Sequence, residues 1–273
     1  KEKNYSGFTG NINTVINIKE NILLRGVREN KTGYFLRLPK GNIKTLIFDN
    51  SLNNSIIKAH SADSFVFQSQ QYDSPPELIY CTNESDKMIS LFQSNKHHYN
   101  YLWGKQEVIK YKNAKGISLK GLLYYPAEYN PTQKYPLVVS IYEKQNYLQH
   151  YYFNPSVYNS AGLNISSLTA QGYFVLLPDI EYEIGNPGIS ATECVLAAVD
   201  KVIGSGLVFF DKIALMGQSF GGYETNFIVT QTNLFKTAIS SASVFDLKGW
   251  YLSISQNTGT PEIWRFESQQ WRI

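Results

Sequence analysis

Cysteine is nearly absent: the 273-residue chain has two, Cys81 and Cys194. They lie far apart and belong to no C-x-x-C pair, so they fit neither a zinc site nor a disulfide framework and read as two buried free thiols. Charge of one sign is also missing. The 25 Lys and Arg are scattered and offset by 22 Asp and Glu, for a net charge of +3. No face is pre-loaded with positive charge, which removes any strong case for nucleic acid or an anionic membrane as partner. No apolar run reaches the roughly 18 residues that cross a bilayer. The opening Lys1-Glu2-Lys3-Asn4-Tyr5 lacks the apolar stretch of a signal peptide, so the first residue is read as a boundary left by cloning or processing. Histidine numbers only four. His60, His97 and His98 have no ligand spacing to a Cys, Asp or Glu cluster and read as solvated or turn histidines. Glu181 and Glu183, near Asp179, read as a solvated acidic loop that nothing completes into a metal site. No metal and no cofactor is expected.

The chain is 43% hydrophobic and 17% charged, so it can bury a sizeable core. At about 150 residues per domain it is most simply two domains, or one large one. Its halves read differently. Residues 1–104 look all-β, with short β-rich runs at Thr14–Ile18, Ile22–Arg28, Gly33–Leu38, Lys44–Phe48, Ser64–Gln68, Glu77–Cys81 and Met88–Phe92. Strands at such spacing, with Asn-, Gly- and Pro-rich turns between them, suggest a sandwich, a barrel or propeller blades. Asn4, Asn53, Asn83 and Asn164 each begin an N-x-Ser sequon, but in an Asn- and Ser-rich chain these say little about secretion.

From residue 105 the pattern changes. Glu107–Tyr111 and Ile117–Tyr125 flank Asn113-Ala-Lys-Gly116 and read as a hairpin. Leu137–Tyr142, Tyr173–Leu177 and Lys212–Met216 are nearly continuous apolar runs, as expected of strands buried on both faces. Between them, Ser190–Val202 reads as a helix. Ser190 and Glu193 suggest a capping box, Val195, Ala198, Val199, Val202 and Ile203 form an apolar stripe, and Gly204 and Gly206 stop it. Strand, helix, strand in this order predicts a doubly wound α/β sheet.

The sharpest signal is Gly217-Gln-Ser219-Phe-Gly221-Gly222-Tyr223. It follows a buried strand and precedes a plausible helix, the context of a G-x-S-x-G nucleophile elbow. A turn that sharp strains Ser219 and leaves no room for side chains two residues before and after it, which explains Gly217 and Gly221. It lifts the serine hydroxyl above the sheet. The amide of Phe220 at the helix start becomes the natural donor to a developing oxyanion.

This motif resembles the nucleophile motif of the prolyl oligopeptidase family of serine peptidases, most closely the branch of dipeptidyl-peptidases and acylaminoacyl-peptidases. The resemblance extends to Trp103–Val108, Lys115–Pro126, Lys134–Tyr142, Gly172–Asp179 and Leu234–Val244, and so covers 105–273. It implies that 1–104 is the C-terminal part of a β-propeller and 105–273 the N-terminal part of an α/β-hydrolase (peptidase) domain. It gives Tyr142 the role of second oxyanion donor through its phenol. It places Val244, Leu247 and Trp250 where the family lines its pocket for the residue before the scissile bond. There are departures. Glu143-Lys144-Gln145 stand where many relatives have Gly-Gly-Pro or Ala-Gly-Pro, and Leu247 and Ile254 stand where the dipeptidyl-peptidase branch has aromatics.

A serine hydroxyl needs an imidazole to take its proton and a carboxylate to orient that imidazole. In this fold both follow the serine in the chain, and no histidine follows Ser219. His150 stands in the wrong place and reads as a binding-loop or surface residue. The expectation is a truncated chain whose triad Asp and His lie beyond Ile273 and whose Ser219 is unactivated as it stands. The parent is expected to be a serine-type peptidase acting on short peptides, in the periplasm or secreted with the cytoplasm as the alternative, as a possible homo-oligomer. Two alternatives are another α/β-hydrolase, such as an esterase, and an inactive binding protein that keeps the elbow.

Overall fold

The structure is a computed structural model of the chain and describes residues 16–83, 87–156, 163–256 and 258–267. The chain divides into two compact units. The first holds residues up to Ser69 together with Glu77–Phe92, and the second holds Gln70–Pro76 and Gln93 onward.

The first unit is all β. β1 (Ile22–Arg28), β2 (Lys31–Arg37) and β3 (Ile43–Asp49) form an antiparallel sheet in that order. β4 (Leu52–Lys58), β5 (Ser64–Gln71), β6 (Ser74–Thr82) and β7 (Ile89–Gln93) form a second, again in chain order. The core is Tyr34, Leu36, Leu46, Ile47, Phe65, Phe67 and Cys81. These alternate with more exposed neighbours along β2 and β5, as strands buried on one face require. β4 was not expected, because its residues fall between the β-rich runs Lys44–Phe48 and Ser64–Gln68. The reason it forms is that Asn53 is fully buried and its Nδ2 donates to Thr32 O (3.0 Å) and to Asp49 Oδ1 (2.8 Å). Thr14 and Val15 lie outside the described residues, and Ile16–Ile18 run into a turn rather than a strand.

In the second unit, β8 (Gln106–Lys112) and β9 (Ser118–Tyr124) form the expected hairpin, pairing Gln106 with Tyr124 through Lys112 with Ser118. The chain continues through β10 (Tyr135–Ile141), α1 (Ile165–Ala170), β11 (Phe174–Pro178), α2 (Pro187–Ile203), β12 (Val208–Gln218), α3 (Phe220–Gln231), β13 (Thr237–Ser241), α4 (Leu247–Tyr251) and α5 (Ile263–Glu267). The sheet order is β13-β12-β10-β11-β9-β8. β10 runs parallel to both its neighbours, β12 runs parallel to β13, and β9 is antiparallel to β8 and β11. This is the α/β-hydrolase type of sheet, and β11 shows why its strands read as unbroken apolar runs. Phe174 and Leu176 join one core with α2 residues Val195, Ala198 and Val199, whereas Val175 and Leu177 join another with Ile165 of α1. Both faces are covered, so every position is apolar.

α2 starts differently from expectation. It begins at Pro187, whose missing N–H costs nothing at a helix start, and its N-cap is Asn186. Ser190 lies inside the helix, with its hydroxyl 2.8 Å from Asn186 O and accepting from the Glu183 N–H at 3.2 Å. The Ser190–Glu193 capping box is therefore corrected. The apolar stripe packs into the core as expected.

His98 is also corrected. It sits in a short turn but is buried, 4% exposed, against Trp103 and Tyr152, whose rings stack 5.3 Å apart. Its Nε2 lies 3.0 Å from Asp73 O and its Nδ1 3.2 Å from Tyr152 Oη. A carbonyl only accepts, so Nε2 carries the hydrogen and Nδ1 accepts from the phenol. Both Cys81 and Cys194 are buried free thiols, as expected.

Candidate active site

The sheet reverses its winding at β10. The chain leaves β10 for β11 on one side and then crosses to β12 on the other. A crevice opens at such a switch point, at the carboxyl ends of the two strands. Tyr142 follows β10 and Ser219 follows β12. The register pairs Ile141 with Gly217, so Tyr142 and Ser219 emerge side by side from neighbouring strands.

Ser219 has φ 57° and ψ −119°, a left-handed conformation that a side chain adopts only under strain. The surrounding structure holds it there. Its N–H donates to Ser241 O on β13 (2.9 Å), and its carbonyl accepts from the Gly222 and Tyr223 N–H groups (2.9 and 3.2 Å). The glycines are required by space. A Cβ on Gly217 would lie 2.1 Å from Gly221 O, and one on Gly222 would lie 2.8 Å from Ser243 Cβ. The result is an exposed serine between a buried Gly217 and a buried Phe220. Phe220 opens α3, where backbone N–H groups point out of the helix end and the helix dipole is positive.

Tyr142 is 36% exposed and lines the same pocket as Ser219. The pocket encloses about 370 Å³. Gln218 and Ser241 form its polar edge, while Leu148, Phe153, Leu163 and Leu177 make its wall apolar. Sequence reasoning missed these wall residues. They come from four separate stretches, and no local pattern joins them.

The loop after Tyr142, where Glu143-Lys144-Gln145 depart from the family habit, is anchored by Asp179. Its Oδ1 accepts from the Gln145 and Asn146 N–H groups (2.7 and 3.0 Å), and its Oδ2 accepts from Asn146 Nδ2 (2.7 Å). Gln145 is buried and reaches back to Ser140 O (2.9 Å). Burial pushes the Asp179 carboxyl upward, and the donors from Asn146 and Gln145 pull against it. Asp179 itself is buried. Glu181 and Glu183 are partly exposed and pair with Lys144 and Lys115. Among the described residues no group of three or more His, Cys, Asp or Glu is gathered as for a metal.

Val244, Leu247 and Trp250 do not line the Ser219 pocket. Leu247 lies in a separate shallow depression with Tyr251 and Phe266, and the Trp250 ring packs 5.2 Å from Phe266. Ser219 and Tyr142 line one pocket, with Phe220 next to Ser219 in the chain, and Val244, Leu247 and Trp250 are not among its lining residues. No histidine is among the residues lining the pocket; the backbone N–H of His150 donates to Gln106 Oε1 (3.1 Å).

Residues 185–271 match the family model described as the prolyl oligopeptidase family. Over 232 residues the chain is 24% identical to the uncharacterized peptidase YuxL of Bacillus subtilis (strain 168), covering 80% of this chain and 34% of that protein. Over 170 residues it is 27% identical to human prolyl endopeptidase FAP, covering 59% of this chain and 22% of that one. Its fold superposes on Porphyromonas gingivalis dipeptidyl peptidase 4 with a TM-score of 0.62 at 18% identity, covering 88% of this chain and 35% of that chain. The chain spans about a third of the length of the first of these relatives. The segment of this chain that matches the prolyl oligopeptidase family model contains the Ser219 turn.

Proposed function

We propose that the protein is a serine peptidase that cleaves short peptides through an acyl-enzyme on Ser219. The observation that carries this reading is the strained, exposed Ser219 between β12 and α3, at the mouth of an apolar pocket beside Tyr142. In this reading the Ser219 Oγ attacks the scissile carbonyl while a base takes its proton. The oxyanion that forms receives hydrogen bonds from the Phe220 N–H and the Tyr142 phenol. The C–N bond breaks as the base passes its proton to the leaving amine. Water then cleaves the ester and returns Ser219 to its starting state. The apolar wall of Leu148, Phe153, Leu163 and Leu177 receives an apolar side chain of the substrate. The roles of base and orienting carboxylate are assigned to none of the four histidines described above, nor to Asp179, which is committed to the loop after Tyr142.

The domain reading goes with this function. Residues 1–104 are taken as the end of a β-propeller and 105–273 as the first part of a hydrolase domain. The antiparallel sheet of β1–β3 and the hydrolase-type order of β8–β13 support it. A periplasmic or secreted location is part of the same proposal and rests on the family resemblance; cell fractionation checks it. Fluorophosphonate labelling of the intact protein tests the central claim. In the protein with its whole hydrolase domain, wild type is expected to label and Ser219→Ala to lose the label. Labelling that persists in Ser219→Ala would remove the assignment. Comparing peptide amides with short-chain esters then separates a peptidase from an esterase.

A further inference from the structure

Glu224 lies one turn into α3, five residues after Ser219, and is fully buried. A glutamate rarely occupies such a site unless something holds it. Its Oε1 meets the hydroxyl of Tyr182, in the segment after β11. Its Oε2 has no hydrogen-bond partner among the described residues. The same Tyr182 hydroxyl lies 3.0 Å from the backbone carbonyl of Tyr142.

Counting protons leaves two arrangements, with the Tyr182 hydrogen on either the Glu224 carboxyl or the Tyr142 carbonyl. The Tyr142 carbonyl can only accept, and the Tyr182 hydroxyl has one hydrogen to give. If that hydrogen goes to Tyr142 O, the contact with Glu224 needs a second hydrogen, and the only group able to supply it is the carboxyl itself. A neutral carboxyl also explains Oε2. A buried carbonyl-type oxygen without a partner costs a few kcal/mol at most, whereas an ionised one costs far more. The surroundings agree. Burial holds the Glu224 carboxyl well above the usual range, with the Tyr182 hydrogen bond opposing. The titratable groups facing it are Tyr182 and, on its own helix, Tyr223; Tyr142 and Cys194 of α2 in turn face Tyr182. None of these four supplies a positive charge.

We propose that Glu224 is held as the neutral acid and that the hydrogen-bonded chain from Glu224 through Tyr182 to the Tyr142 carbonyl sets the position of Tyr142 beside the Ser219 turn. Glu224 and Tyr182 are then positioning residues, acting through Tyr142. The Tyr182 ring also packs edge-on against Phe220 (5.7 Å), so one side chain touches both residues assigned to the oxyanion hole. The mechanistic half of this inference rests on the function proposed above. The protonation half stands independently of it.

The experiment has two arms. Infrared difference spectra of the intact wild-type protein against Glu224→Gln at pH 7.5 are expected to show a protonated-carboxyl stretch that shifts in deuterium oxide. An ionised-carboxylate signal in its place would overturn the proposal. In the second arm, Glu224→Gln supplies an amide hydrogen to Tyr182 without charge and is expected to keep kcat within about twofold of wild type at all pH values. Glu224→Ala and Tyr182→Phe are expected to lower kcat by about tenfold to a hundredfold with KM little changed. Equal losses in Glu224→Gln and Glu224→Ala would overturn the positioning role. If Glu224→Ala does not fold, the Glu224→Gln comparison and the infrared band decide the matter. Wild-type protein without Ser219-dependent turnover would defeat the peptidase reading alone and leave the carboxyl measurement in force.

Discussion

The carbonyl oxygen of Ile141 lies 2.4 Å from the point a Cβ on Gly221 would occupy. The end of β10 and the first turn of α3 therefore touch backbone to backbone, with the Tyr142 ring beside the same glycine (3.3 Å to Cδ2). Nothing flexible can give way, because the obstructing atom is main chain. Gly221→Ala must push α3 away from β10, and it is expected to cost about 3 kcal/mol in urea unfolding, the upper range for overpacking a tight site. Gly222→Ala meets the Ser243 side chain and backbone near 3.0 Å and is expected to cost less. A Gly221→Ala protein as stable as wild type would mean that this approach is not real.

Tyr142 bears on chemistry and not on folding. Its ring is partly exposed and its phenol is assigned to the oxyanion. Tyr142→Phe is expected to reduce kcat by about 10²–10³ with KM nearly constant, the signature of an interaction made in the transition state. Thermal unfolding should move little. A Tyr142→Phe enzyme with unchanged kcat would shift the second donor to another group.

His98 predicts a pH dependence of stability. Burial lowers its basicity, with the Asp73 carbonyl opposing. A histidine whose folded pKa is depressed contributes stability that is fully present above its unfolded value of about 6.5. That contribution is lost as pH falls through the folded value, because the unfolded chain then binds the extra proton. His98→Phe removes both ring hydrogen bonds and is expected to cost about 2 kcal/mol at pH 7.5. The gap between wild type and variant should narrow as pH drops below about 6.5. A gap constant from pH 7.5 to pH 5 would contradict the buried neutral ring.

Two of the misread features failed for one reason. Asn53-Asn54-Ser55 has turn composition, yet the fully buried Asn53 donates its amide NH2 to Thr32 O and Asp49 Oδ1, and the segment is a strand. Ser190 and Glu193 have capping-box spacing, yet the helix had already begun at Pro187. In each case a local pattern was outbid by partners elsewhere or by an earlier start signal. His98 reads from the sequence as a solvated or turn histidine, because a single ionisable residue carries no sequence mark of the aromatic cage that surrounds it.

The sequence by itself determined the switch from an all-β half to parallel strands, the hairpin at Asn113–Gly116, the stripe of α2 and the bend at Ser219. These rest on periodicity, on apolar runs buried on two faces, and on glycines that only a crowded turn demands. Tertiary structure alone decided which side chains face Ser219, that Val244, Leu247 and Trp250 do not line its pocket, that Asp179 ties down the loop after Tyr142, and that Glu224 meets Tyr182. Those are contacts between stretches distant in the chain. They depend on strand order and register, which bring Tyr142 to the side of Ser219 without any spacing in the sequence announcing it.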